Sequence, residues 1–78
     1  MDKTLIQNQI AEIEKGLRDG DLNKEGAKIW IILEYLHSLL KPEKYSEQQL
    51  EDLRRLKLEL GFDETVGFGE WSKKNEKP

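Results

Sequence analysis

The densest run of apolar side chains spans residues 29–40, Ile-Trp-Ile-Ile-Leu-Glu-Tyr-Leu-His-Ser-Leu-Leu. At helical periodicity, Ile29, Ile32, Leu33, Leu36, Leu39 and Leu40 gather on one side, with Trp30 on one edge and Ile31 and Tyr35 on the other. An apolar arc broader than the ~100° of an ordinary surface helix marks a helix covered on more than one flank. Two narrower seams bracket it. Ile6, Ile10, Ile13 and Leu17 recur at steps of four, three and four upstream, and Leu50, Leu53, Leu56 and Leu60 repeat the pattern downstream.

Local signals predict where each helix begins and ends. Thr4 and Gln7 have capping-box spacing, with Asp2 as an alternative cap, and the first helix closes in the turn Arg18, Asp19, Gly20, Asp21. The second is expected from Asp21 or Asn23 to Lys41, because Pro42 lacks an amide proton and forces the residue before it out of helical geometry. Gly26, early in that helix, is expected to admit the close approach of another backbone. The third opens at Ser46 with Gln49 completing a second capping box, and Tyr45 is placed to staple onto Leu50. Gly61 supplies a left-handed stop, after which Phe62 can fold back on Leu56.

Beyond Gly61 the period disappears. Phe62, Val66, Phe68 and Trp71 are separated by glycines and acids, and residues 72–78 contain nothing apolar. The expectation is an all-α, up-down-up three-helix bundle with an irregular aromatic C-terminal tail. Residues 1–71 form its single domain and 72–78 a disordered end. Two one-sided helices cannot cover the whole of the broad second helix. Its secondary line Ala27, Ile31 and Ser38 therefore predicts a homodimer packed near a two-fold axis, unless the aromatic tail covers the gap within one chain.

Composition narrows the function classes. With 78 residues and no cysteine, neither disulfides nor thiolate metal sites can support the fold, which suits a reducing cytoplasm. The net charge of −3 is spread along the chain, so no segment makes the basic field that nucleic acid requires. The apolar run is too short to span a bilayer, and no membrane association is expected.

Candidate chemistry is sparse. His37 is the sole histidine, and its neighbour Ser38 points about 100° away, too far round the helix to form a nucleophile–base pair. Glu34 and His37 have the Glu-x-x-His spacing of di-iron bundles, but the flanking seams hold Ile and Leu where further carboxylates would sit. Arg54, Arg55 and Lys57 could face nucleic acid in a helix-turn-helix arrangement, although acids intersperse them. Phe62, Phe68 and Trp71 are the best candidates for binding a partner protein, with Trp30 and Tyr35 beside them if no dimer forms. The sequence reads as a small helical interaction protein, a regulator, adaptor or inhibitor with no catalysis, cofactor or metal of its own. A nucleic-acid-binding regulator is the alternative.

Overall fold

The computed structural model describes residues 3–20 and 26–75, with side chains placed through Lys73. Among the described residues four helices follow one another, α1 (Lys3–Asp19), α2 (Gly26–Leu40), α3 (Glu47–Leu60) and α4 (Phe68–Asn75), with a 3-10 turn at Pro42–Lys44 between α2 and α3. No strand occurs among the described residues. No helix among them is long and apolar enough to cross a membrane.

The middle of the chain follows its local signals closely. Ser46 Oγ accepts the amide of Gln49 at 3.1 Å, and the Ser46 amide donates to Gln49 Oε1 at 2.9 Å, so both halves of the capping box are made. At the other end Gly61 takes φ +70°, and the amides of Gly61 and Phe62 donate to Leu58 and Lys57 carbonyls, the paired bonds of a Schellman stop. α2 ends at Leu40, and the Lys41 amide still donates to the His37 carbonyl before Pro42 opens the 3-10 turn.

Other boundaries differ. Thr4 lies inside the first turn of α1 rather than ahead of it, and Asp2, Asp21 and Asn23, the other expected caps, fall outside the described residues. Gly26 does not mark a close approach, since a Cβ built there would meet nothing within 4 Å among the described residues. The largest correction is at the C-terminus. The segment expected to be irregular and then disordered forms α4 from Phe68 to Asn75.

One core joins these elements. Ile6, Ile10 and Ile13 of α1 meet Ile29, Ile32, Leu33, Tyr35 and Leu36 of α2, and Phe62, Phe68 and Trp71 close the cluster. α3 contributes no fully buried residue; Leu53 and Leu60 pack against the cluster while staying half-buried. Tyr35 on the second flank of α2 is therefore covered from within the chain, whereas Ile31 stays half-buried and Trp30 exposed. The ring of Phe62 stands edge-on to Tyr35 at 6.4 Å and to Trp71 at 6.4 Å, and the Trp71 indole donates to the Leu60 carbonyl at 2.8 Å.

Candidate interaction surfaces

The C-terminal segment is held by polar contacts as well as by rings. Asp63 organises the loop after α3: its Oδ1 accepts from the Thr65 amide and hydroxyl, and its carbonyl accepts from the amides of Val66 and Gly67. The Thr65 bonds hold the Asp63 carboxyl below the usual range. This turn aims the next side chain, Glu64, inward, where it is only 8% exposed.

Glu64, in the loop between α3 and α4, is where α1, α2 and α3 meet. Its Oε1 accepts from the Tyr35 hydroxyl at 3.1 Å, its Oε2 pairs with Lys57 Nζ at 3.1 Å, and its backbone carbonyl accepts from Gln9 Nε2 at 2.8 Å. Lys57 Nζ also lies 5.4 Å from the centre of the Tyr35 ring, within range of a cation–π contact. Burial, then the adjacent Glu64 charge, raises the Tyr35 hydroxyl above its ordinary pKa. Burial alone would lower Lys57, but its bond to Glu64 and the charges around it raise it on balance. Gln9 Oε1 is buried without a hydrogen-bond partner among the described residues, beside Gly67, whose φ of +104° turns the chain into α4.

These contacts place several expected site residues inside the molecule. Phe62, Phe68, Trp71 and Tyr35 are all buried. Ser38 is buried too, its hydroxyl donating to the Tyr35 carbonyl at 2.6 Å, so of the line Ala27, Ile31, Ser38 only Ala27 and the half-buried Ile31 reach the surface. Lys57 turns in to Glu64, and Arg55 meets Asp52 at 3.2 Å and Glu59 at 3.9 Å. Arg54 lies beside Glu47 and Glu51. The three basic residues of α3 therefore share no free cationic face. Glu34 is exposed and accepts a 3.4 Å contact from the Tyr45 hydroxyl, and no group of three His, Cys, Asp or Glu side chains converges among the described residues.

What remains open is the outward line of α2. Ala27, Trp30, Glu34 and the half-buried His37 follow one another at helical spacing, and Lys41 extends the line just past the helix end. Trp30 is 57% exposed. At the far end of this line a groove of about 420 Å³ opens between α1 and the 3-10 turn. Ile10 and Leu40 form its apolar part, and Gln7, Glu14, His37, Lys41, Lys44 and Tyr45 surround it. Burial and the nearby Glu34 raise the Tyr45 hydroxyl above its usual pKa. The periodicity alone did not reveal this groove, because it depends on the 3-10 turn bringing Lys44 and Tyr45 back toward α1.

Compared with known proteins, the chain matches no family model, no curated protein and no solved structure.

Proposed function

We propose that this protein acts through protein–protein contact on the outward line of α2, as a small regulator, adaptor or inhibitor without catalysis of its own. The observation that supports this reading is Trp30. It stands 57% exposed, with Ala27 exposed and Ile31 half-buried beside it on the same helix. A large apolar side chain left in water forgoes on the order of 1.5–3 kcal/mol of burial, which a partner recovers, and tryptophan is among the residues that dominate binding hot spots. The pairing of Lys57 with Glu64 and of Arg55 with Asp52 and Glu59 favours this over the nucleic-acid reading.

A homodimer is one form of the same proposal, with Ala27, Trp30 and Ile31 meeting their copies across a two-fold axis. The up-down-up course of the first three helices also belongs to it, supported by the short connection between α2 and α3. Trp30→Ala tests the reading. It is expected to leave the melting temperature within a few degrees of wild type while abolishing partner capture, or, for the dimer, the concentration dependence of sedimentation. Unchanged association in the variant defeats the proposal.

A further inference from the structure

The groove at the far end of α2 has an uneven chemistry. Ile10 and Leu40 offer it an apolar floor, whereas Lys41, Lys44 and Gln7 stand exposed at its rim. Elsewhere Lys15, Arg55 and Lys57 are paired with Asp19, Asp52 and Glu64. Lys41, Lys44 and His37 make no side-chain hydrogen bond or ion pair among the described residues. The one acid lining the groove, Glu14, makes none either. In a chain of net charge −3, two lysines against Glu14 leave this lining one positive charge in excess over hydrocarbon, with Glu34 engaged by the Tyr45 hydroxyl.

A simple anion would leave the floor unused, and a hydrocarbon would leave the lysines unused. The complementary ligand carries a bulky apolar group with carboxylates beside it. The groove is also continuous with the line that holds Trp30, since His37 and Lys41 belong to both. Trp30 and Lys41 lie roughly 16 Å apart at the helical rise, a span of about three turns. Helices that lay an apolar face into a groove anchor it at i, i+3, i+4 and i+7, a span of about 10 Å that fits within this line.

We propose that the groove between α1 and the end of α2 seats an acidic amphipathic helix of a partner protein. One bulky apolar side chain rests on Ile10 and Leu40, and its flanking carboxylates meet Lys41 and Lys44. The proposal rests on the protein-contact reading above and names the chemistry of the partner. Tyr45 lines the seat, and Glu14, also in the lining, opposes the incoming acids and so tempers affinity.

The test uses the full chain and fluorescein-labelled helical peptides of about 14 residues, long enough to span the ~20 Å involved. One peptide carries leucines at helical spacing flanked by Glu and Asp. A second replaces the acids with Lys, and a third replaces the leucines with Ala. Anisotropy is expected to show binding of the first alone, weakened about tenfold between ~50 mM and ~300 mM salt. Lys41→Glu with Lys44→Glu is expected to weaken binding by about tenfold or more at unchanged melting temperature, and Glu14→Gln to tighten it a few-fold. Lys41→Gln with Lys44→Gln provides a milder second variant with the same direction of effect. The proposal is overturned if the basic peptide binds equally well, if the lysine variants bind as wild type does, if none of the peptides binds, or if octanoate occupies the groove more tightly than the acidic peptide. Partner capture lost in Trp30→Ala while the peptides stay silent defeats this inference alone. Peptide binding in a protein whose association ignores Trp30 defeats the proposed function and supports the groove inference.

Discussion

The Tyr35 hydroxyl donates to Glu64 Oε1 at 3.1 Å, linking the buried flank of α2 to the loop that carries the chain from α3 into α4. Lys57 of α3 pairs with the other oxygen of that carboxylate, and Gln9 of α1 donates to the Glu64 backbone carbonyl. Removing the side chain leaves a buried hydroxyl and a largely enclosed ammonium without their acceptor. Glu64→Ala is therefore expected to cost about 2–4 kcal/mol, below the full penalty of a sealed ion pair because some solvent reaches both partners. Glu64→Gln can still accept from Tyr35 and is expected to cost about half as much. Urea unfolding of the two variants measures both, and equal losses would contradict the role given to the acceptor geometry.

The same cluster sets the response to alkali. Tyr35 and Lys57 are both raised in the folded state above their ordinary values of 10.0 and 10.5. A raised folded pKa means the native state holds its proton where the unfolded chain has released it. The resulting stabilisation is complete below the unfolded pKa and disappears as pH rises through the folded one. Stability is thus expected to fall as pH climbs beyond about 10, with no loss from these groups at neutral pH. Tyr35→Phe should make the alkaline fall shallower. Tyrosinate absorbance should rise later than for free tyrosine, because Tyr45 is raised as well.

Phe68 and Trp71 test whether α4 is part of the fold. Trp71 is 4% exposed, stacks at 5.7 Å on Phe68 and donates its indole proton to the Leu60 carbonyl. Trp71→Ala is expected to cost about 3–5 kcal/mol, a large share of the ~4–12 kcal/mol available to a domain of this size. Phe68→Ala should fall at or just below that range. Circular dichroism melts showing either variant at wild-type stability would put that ring outside the core.

Much of this architecture was legible before any coordinates, and the reasons are local. The seam Ile6, Ile10, Ile13 and the broad stripe of α2 rest on a helical period repeated several times, which sequence displays directly. Ser46 and Gln49, like Gly61, carry signals complete within a few residues. α4 was missed because its apolar period amounts to Phe68 and Trp71 alone, set among glycines that lower helical propensity. Glu64 was missed for a different reason. As one acid among many, it differs from its neighbours only in where the Asp63 turn points it, and tertiary contacts alone reveal that. Gln9 lies off the apolar seam of α1, yet it is only 4% exposed because residues 64–67 pass over it, which again only tertiary contacts show.

Two glycines should respond in opposite directions to the same substitution. Gly61 ends α3 at φ +70°, where an L side chain crowds its own backbone, although a Cβ there would touch nothing else within 4 Å. Gly61→Ala is therefore expected to cost about 1–2 kcal/mol through strain alone, with no steric clash to add to it. Gly26 has the same open surroundings and no positive φ, and it lies within α2. There alanine narrows the freedom of the unfolded chain and favours the helix, so Gly26→Ala is expected to stabilise by about 0.4–1 kcal/mol. Since neither site is crowded, the difference between the two melts isolates backbone conformation from packing. A destabilised Gly26→Ala would show that something beyond the described residues approaches the start of α2.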